Sequence, residues 1–211
     1  SSSSLIYQLR LWFISGFSNT ARPSSRTVMC HSARHIVTEI SFNDYKVEIL
    51  KLRQTVWEQT DHLLMTQVFV NGFYDEHDDN AFHWGVFNDD KKLIASARLS
   101  KHFSIDTLPD HHLIVDISGI AIQLPIASLN RLSVDRQYQG QGLSKLLDRE
   151  RIEKACRIHC KSICGMTYGQ RGLKLVQDGF HVSPLLTLSK NFNTNKENAK
   201  QLPPCFYYKL L

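Results

Sequence analysis

The 211-residue sequence contains few of the residues that mark specialised protein classes, with five cysteines, six prolines and ten glycines. Glycine and proline are too scarce for a collagen-like chain. The cysteines are odd in number and lack the close pairs of a disulfide framework, which is typical of free thiols in a reducing compartment. The composition, 42% hydrophobic and 21% charged, therefore indicates one globular domain with a sizeable core.

Long apolar runs are also missing. None approaches the roughly 20 residues that cross a bilayer as a helix, so we expect no membrane partner and a cytoplasmic protein. The formal charge of +5 does not indicate a nucleic-acid partner, because three of the arginines lie in residues 1–28 and the remainder is nearly balanced. We expect no nucleic-acid binding, which would need clustered basic residues in the folded part.

Acidic residues are absent from residues 1–38, which are rich in serine and contain four arginines. This composition is typical of an organelle transit peptide, and would then place the protein in an organelle matrix. The alternative is that Met29 is the initiator and that residues 1–28 are not native. Both remain open. We treat residues 1–37 as an extension and residues 38–211 as one domain.

Periodicity in the rest of the sequence predicts a mixed α/β domain. Helices are predicted after the capping residues Asn43 and Asp44, at 65–73, from Gly142 onwards, and at 172–177. The last of these ends at Gly179. Strands are predicted at 35–42, on both sides of a turn at 88–91, and at 127–134, 162–166, 180–188 and 205–211. Residues 103–126 carry no clear pattern.

The most informative segment is a glycine-rich turn between a predicted strand and a predicted helix, with the sequence QYQGQG at residues 137–142. Such a turn presents unpaired N–H groups and the positive end of the helix dipole, which together suit a phosphate group. Lys145 stands where a dinucleotide-binding loop needs its third glycine and where a Walker loop needs its second. Both of those alternatives are excluded.

The remaining pattern, Q-x-x-G-x-G after a strand and before a helix, resembles the acyl-CoA loop of the GNAT superfamily of N-acetyltransferases. The stretch LNRLSVDRQYQGQGLSKLL (129–147) is similar to the family across strand, loop and helix, and GLKLVQDGF (172–180) resembles its helix with a Gly-Phe ending. This resemblance implies a mostly antiparallel sheet of about seven strands, splayed in the middle, with helices on both faces. It also implies acetyl-CoA as co-substrate.

In that family, one central strand leaves its neighbour and offers its backbone to the pantetheine arm of the cofactor, while the loop amides hold the pyrophosphate. Carried onto this sequence, the resemblance implies cofactor contacts from the strand residues Leu132, Ser133 and Val134 and from the loop and helix residues Gln139, Gly140, Gln141, Gly142, Leu143 and Ser144.

The acid and the base are less well defined by the sequence. Many family members place a tyrosine five residues before the phenylalanine of the Gly-Phe ending, but this chain has Leu175 there. Tyr168 is our substitute for the acid, and packing against the cofactor is its alternative role. His83, and also His102, are candidate bases, although a single strand histidine is more often structural.

Two arginines, Arg98 and Arg131, fall inside predicted strands, where an unpaired charge is costly to bury. They are structural if they pair with carboxylates, and bind substrate if they face a cleft. Asp75 and Asp79, in the acidic turn 75–79, could pair with them or attract a cationic amine. We therefore predict these four residues as substrate contacts, with a solvated loop as the alternative for the acidic turn.

The same positions also resemble another branch of this fold, the acyl-homoserine-lactone synthases. That family's order is followed by Arg53 and Trp57, then Asp75 and Asp78, then Arg98 and Arg131. Ser128 departs from it, because those synthases carry a glutamate three residues before the second strand arginine. Small bacterial GNATs similar to ElaA share the layout, and we prefer this group.

The sequence therefore predicts an N-acetyltransferase that moves an acetyl group from acetyl-CoA to a primary amine by direct transfer in a ternary complex. The alternatives are a synthase-like acyltransferase and a non-catalytic acyl-CoA-binding domain. The partner is a small-molecule or peptide amine, with a homodimer possible. We predict no metal, because Cys156, Cys160 and Cys164 cannot share one helical face and are better explained as buried small residues.

Overall fold

One seven-stranded sheet organises the described part of the chain. The structure, a computed structural model, describes residues 35–58, 73–109, 111, 121–167, 171–184 and 205–211. Its strands are β1 (Val37–Ile40), β2 (Phe82–Phe87), β3 (Leu93–His102), β4 (Ile126–Val134), β5 (Ser162–Thr167), β6 (His181–Pro184) and β7 (Cys205–Leu210). They lie in the order β1-β2-β3-β4-β5-β7-β6. Only the β4–β5 pair is parallel within this sheet, so the predicted mostly antiparallel α/β fold is confirmed.

Three α-helices accompany the sheet in the described ranges: α1 (Phe42–Glu58), α2 (Leu143–Arg157) and α3 (Arg171–Gln177). The first begins earlier than predicted, because the Ser41 hydroxyl accepts the Asp44 N–H at 3.4 Å and so caps the helix. The predicted helix at 65–73 lies almost wholly outside the described residues. None of the helices described is long and apolar enough to cross a membrane.

The two faces of the sheet differ in chemistry because the strand residues alternate. On the face that packs against α2, which we call the first face, β3 contributes Ala95, Ala97 and Leu99 to the main core. The residues that alternate with them along the strand, including Arg98 and Ser100, are buried on the opposite, second face. An apolar cluster of α1 residues packs on this second face. One face is therefore a conventional core, and the other buries polar side chains.

The parallel pair β4–β5 is paired over only part of its length. Its partners are Ile126 with Ser162, Ala127 with Ile163 and Ser128 with Cys164. Beyond Ser128, β4 continues to Val134, while β5 continues to Thr167 paired only with β7. The two strands therefore separate in the middle of the sheet, which confirms the predicted splay.

A bulge in β4 accompanies this separation. The register between β3 and β4 shifts between Ser96 and Arg98, and Arg131 adopts a φ of 52°, an uncommon conformation for a residue with a side chain. A bulge bends and twists its strand. It follows that β4 turns away from β5 close to the point where their pairing ends.

Two predictions about α2 are wrong. Cys156 was expected on the inner side of the helix but is exposed, whereas Cys160 and Cys164 are buried as predicted. The spacing of apolar residues along α2 predicts that its charged residues lie on the solvent side, but Arg151 is only 1% exposed. The periodicity failed here because a long charged side chain can point inward when it finds polar partners, which Arg151 does.

Candidate active site

A cavity of about 840 Å³ lies where the end of β4, the glycine-rich turn, α2 and α3 come together. The loop leaving β4 is fixed by a short 3₁₀ turn at Arg136–Tyr138, whose first residues are capped by Asp135 through the Gln137 N–H at 3.1 Å. The Gln139 side chain then donates to the Val134 carbonyl at 3.1 Å. These bonds hold the glycine turn against the end of the strand.

The turn itself presents backbone amides to the cavity. Gly140 and Gly142 both have left-handed backbones, with φ of 80° and 82°, which favour glycine over residues with a side chain. Gly142 begins α2 without a side-chain cap, and the first helical turn has no acidic residue. None of the described hydrogen bonds uses the N–H groups of residues 140–144. These donors, and the positive end of the helix, are available to an anion.

Most of the predicted cofactor residues meet at this cavity. Seven of the nine line it: Leu132, Val134, Gln139, Gly140, Gly142, Leu143 and Ser144. The side chain of Ser133 instead accepts a hydrogen bond from the Trp57 indole at 3.0 Å. The Gln141 side chain bonds His35 at 3.1 Å. These two positions can still offer backbone groups, but their side chains are engaged elsewhere.

Basic residues surround the same cavity. Its lining includes five of them, on α2, on α3 and on β7: Lys145, Arg149, Arg171, Lys174 and Lys209. Three acids, Asp148, Glu153 and Asp178, also line it. Asp148 holds Arg171 at 2.5 Å and also pairs with Arg151. The excess of positive charge suits a ligand with several phosphates.

Where β4 and β5 separate, the side chain of Tyr207 takes the place of a missing strand hydrogen bond. The Tyr207 hydroxyl donates to the Leu129 carbonyl at 3.2 Å. Gly165 makes this possible, because a Cβ there would lie 2.5 Å from that same carbonyl oxygen and would also collide with the Tyr207 hydroxyl. Burial raises the pKa of Tyr207, so the hydroxyl keeps its proton and remains a donor.

At the neighbouring β3–β4 bulge, the carbonyl groups are bonded by Arg151, the buried arginine of α2. Its Nη1 atom donates to the carbonyl oxygens of Arg98 and Asn130, at 3.1 and 3.2 Å, beside the bulge. Neither Tyr207 nor Arg151 was predicted as part of the site. A charged residue on the apolar stripe of α2 and a glycine inside β5 were the signals available in the sequence.

Of the two positions considered for the acid, the structure describes Leu175 but not Tyr168. Leu175 is buried, lines the cavity and belongs to the main core. It therefore fills with an apolar side chain the place where the resemblance to the GNAT superfamily implied a tyrosine. Tyr168, the predicted substitute, lies outside the described residues.

The arginines predicted to contact substrate form an ion-pair cluster on the second face. Arg98 pairs with Asp75 at 2.5 Å and with Asp78 at 2.9 Å. Arg131 also pairs with Asp75 at 2.5 Å, and Arg53 forms two hydrogen bonds with Asp78, at 2.8 and 2.9 Å. The structure therefore pairs these arginines with carboxylates, the arrangement for which a structural role was expected.

Electrostatics in this cluster favour ionised aspartates. Burial alone would raise the pKa of Asp75 and Asp78, but the neighbouring arginines outweigh it and hold both below the usual value. Burial also lowers the pKa of Arg53, against the effect of Asp78. Asp79, predicted with Asp75, is exposed and accepts from the Tyr74 hydroxyl instead. The structure brings Asp78, not Asp79, to the arginines.

The two candidate bases lie on the second face in different surroundings. His83 is 2% exposed, stacks on Phe42 at 4.8 Å and donates from Nε2 to the Asp78 carbonyl at 2.9 Å. Burial lowers its pKa to about 4. These contacts favour the structural alternative for His83. His102 instead lines a second, smaller cavity on this face.

Metal-ligating residues do not gather in the described part of the chain. No group of three or more histidine, cysteine, aspartate or glutamate residues there could hold a metal ion.

No protein-family model matches the chain, and no curated protein sequence matches it. Solved structures do. ElaA from Escherichia coli is 14% identical with a TM-score of 0.54, over 83% of this chain and 99% of that one. FeeM, an N-acyl amino acid synthase from uncultured soil microbes, is 13% identical with a TM-score of 0.56, over 84% and 91%.

BjaI, a CoA-dependent acyl-homoserine lactone synthase, is 16% identical with a TM-score of 0.57, over 82% of this chain and 83% of that one. At such identities the likeness concerns the fold. The splayed sheet and the glycine turn of this chain are consistent with its likeness in fold to these solved structures. The chain has the fold of the GNAT N-acyltransferases, as the resemblance of its glycine loop implied.

Proposed function

We propose that the protein is an N-acetyltransferase that transfers an acetyl group from acetyl-CoA to a primary amine within a ternary complex. The observation that carries this proposal is the juxtaposition of an open strand pair with a cavity of about 840 Å³. The cavity begins at uncapped helix amides, and the strands part beside it. A long, phosphate-bearing thioester fits both features, because its anionic end and its acyl end need different surroundings.

The co-substrate would be held mainly by backbone groups. The N–H donors of residues 140–144 and the positive end of α2 suit the pyrophosphate. A Cβ atom at Gly140 or Gly142 would meet no protein atom within 4 Å, so the space in front of the turn is open to a ligand. The pantetheine arm would follow Leu132 and Val134, which line the cavity.

In the proposed reaction the amine nitrogen attacks the thioester carbonyl carbon, and the carbonyl electrons move to the oxygen. A backbone N–H of β4 stabilises that oxygen. The carbonyl then re-forms, the C–S bond breaks, the nitrogen loses a proton, and an acid protonates the thiolate. We assign the acid to Tyr168. The predicted base His83 and the predicted acceptor contacts Arg98, Arg131, Asp75 and Asp79 are not given a part in this step. His83 is bonded to the Asp78 carbonyl, both arginines are paired with Asp75, and Asp79 accepts from the Tyr74 hydroxyl.

The direct test is release of CoA thiol from acetyl-CoA in the presence of a panel of primary amines. We expect amine-dependent release, which is lost when acceptors lacking a nucleophilic nitrogen are supplied. Tyr168→Phe should lower kcat without changing CoA affinity. If Tyr168→Phe matches the wild type across pH, the acid assignment is wrong. If no amine increases thiol release while CoA binds, the domain is a non-catalytic acyl-CoA-binding domain.

A second candidate is a synthase-like acyltransferase that uses longer acyl groups. The observation that favours it is the ion-pair cluster, which brings together Arg53, Asp75, Asp78, Arg98 and Arg131, the residues that follow the order of the lactone synthases. Against it, Ser128 replaces a glutamate and contacts Asn130 at 3.0 Å. A series of acyl-CoA chain lengths separates the two candidates: acetyl-CoA should have the highest kcat/KM if the first is correct.

A further inference from the structure

A chain of hydrogen bonds on the second face carries a hydroxyl group that the proposed reaction has not used. It runs beside the smaller cavity, which has a volume of about 390 Å³. Ser100, His102 and Thr107 lie in the lining, as do Glu76 and His77 of the acidic turn and Asn80, which follows that turn. This cavity shares no lining residue with the larger one.

The direction of the hydrogen bonds is fixed at the outer end of the chain. The Thr107 hydroxyl donates its only proton to the Ser104 carbonyl at 2.8 Å. Its oxygen must therefore accept the bond from His102 Nδ1, at 3.1 Å. Burial, with a smaller effect of His77, lowers the pKa of His102 to about 4, so the imidazole is neutral at pH 7. With its proton on Nδ1, its Nε2 atom is an acceptor.

The next bond therefore points the Ser100 hydroxyl proton at the imidazole. Ser100 Oγ lies 2.7 Å from His102 Nε2, and only the hydroxyl can donate. The other neighbour of Ser100 Oγ is the Asn130 amide at 3.4 Å, a long contact. That amide is closer to Ser128 Oγ, at 3.0 Å. A lone pair of the Ser100 oxygen can therefore accept a new donor.

Ser100 also lies at the point where the central strands part. It is the register partner of Ser128 on β4, and Ser128 is the last β4 residue that pairs with β5. The larger cavity is lined mainly by α2 and α3 of the first face, and α1 contributes only Val56 to it. An acceptor nitrogen that reaches a thioester between the strands would therefore approach from the second face, where the Ser100 hydroxyl and the smaller cavity are found.

We propose that the smaller cavity admits the primary amine, that Ser100 is a catalytic residue, and that His102 acts through it. This inference rests on the proposed acetyl transfer and deepens it. As the nitrogen forms its bond to the acetyl carbon, its N–H proton passes to Ser100 Oγ, and the Ser100 proton passes to His102 Nε2. The C–S bond breaks, the thiolate takes a proton from the acid, and His102 returns its proton to water in the cavity.

The size of the cavity also limits the acceptor. Glu76 and Lys101 bring opposite charges to its lining, and Lys101 Nζ donates to the Ile158 carbonyl at 2.7 Å, so charge alone does not select the acceptor. The cavity volume suits a small molecule or a single side chain of a peptide. We therefore assign the acceptor to small primary amines or amine-bearing peptide side chains, and an acceptor that arrives as an ammonium ion loses one proton to water before attack.

The test uses the full-length chain with Ser100→Ala, His102→Ala and, as a matched control, His181→Ala. His181 is an exposed histidine that stacks on Tyr208 of the edge strand pair. We expect kcat to fall about 100-fold in the first two variants, the typical contribution of general base catalysis, with KM for acetyl-CoA and CoA affinity within twofold of wild type. Added imidazole should restore part of the kcat of His102→Ala but not of Ser100→Ala.

Each outcome bears on the proposal. Unchanged kcat in Ser100→Ala and His102→Ala, with an active wild type, overturns the role of these residues and leaves acetyl transfer intact. Loss of kcat without imidazole rescue, in a folded His102→Ala, overturns the base. An acetyl group found on Ser100 by mass spectrometry would show a nucleophile instead. If His102→Ala does not fold, His102→Gln with Ser100→Ala decides the same question. A wild type that binds CoA but acetylates no amine overturns both proposals.

Discussion

Several residues of this site are explained by their backbone conformation or their hydrogen bonds rather than by their charge. Gly140 and Gly142 adopt a left-handed backbone in the turn that lines the larger cavity. Gly165 admits the phenol of Tyr207 to the Leu129 carbonyl. The glycine turn could be predicted from its sequence, since its spacing and position are distinctive. The role of Gly165 could not be predicted, because it depends on Tyr207, which is 42 positions later in the chain and pairs with Gly165 in the sheet.

A pair of glycines with the same backbone allows a matched test of the cofactor turn. Gly142 and Gly179 have φ of 82° and 80°, so Gly142→Ala and Gly179→Ala should each reduce the free energy of unfolding by about 1 kcal/mol. Only Gly142→Ala places a Cβ in front of the amides, and we expect it to weaken CoA binding about tenfold. Calorimetric titration with CoA measures this. Equal affinities in the two variants would contradict the assignment of the turn.

At the scale of elements, α2 connects the two sides of the site. Its first residues line the larger cavity, and about two turns later Arg151 reaches the β3–β4 bulge. The bounds of most strands could be predicted from alternation. The inward direction of Arg151 could not, because the carbonyl groups that receive it are exposed by a bulge that local sequence does not specify.

Removing the buried arginine should destabilise the protein. Arg151→Met leaves Asp148 without one ion-pair partner and leaves the Arg98 and Asn130 carbonyls without a donor. We expect a loss of about 3 kcal/mol in the free energy of unfolding, typical of a broken buried pair. Arg157→Met, at an exposed position of the same helix, should change it by less than about 0.5 kcal/mol. Urea denaturation measures both, and similar losses would contradict the role of Arg151.

For the whole molecule, the contrast between the two faces of the sheet decides how stability depends on pH. The first face buries apolar residues. The second buries histidines and ion pairs, and its polar network was only partly foreseen: Arg98 and Arg131 were singled out by their positions in strands, but their aspartate partners come from a loop. Which acid of that loop turns inward depends on tertiary contacts that no local pattern contains.

The buried histidines should make the protein less stable in mild acid. Burial lowers the pKa of His83 and His102 to about 4, whereas in the unfolded chain the value is about 6.5. As pH falls from 6.5 towards 4, the unfolded state binds protons that the folded state does not, so stability declines by roughly 1 kcal/mol per pH unit for each histidine. Urea midpoints at pH 7, 6 and 5 measure the slope, and the double variant His83→Gln/His102→Gln should flatten it. A wild type whose stability is constant over this range would contradict the burial of neutral rings.

The short parallel pairing of β4 with β5 has a consequence for how such an enzyme could diversify. Because two parallel strands require a crossover helix between them, residues 126–167 form one uninterrupted strand–turn–helix–strand unit that contains the parting strands and the glycine turn together. The polar wall opposite is assembled mainly from α1, the acidic turn and β3, which are encoded upstream of this unit, and Arg131 of β4 is the exception. In the proposed acetyltransferase, most of the donor contacts and most of the acceptor contacts would therefore be encoded in separate stretches of the gene. Exchange of the upstream stretch between relatives could alter which nucleophile is modified and leave the handling of the thioester untouched.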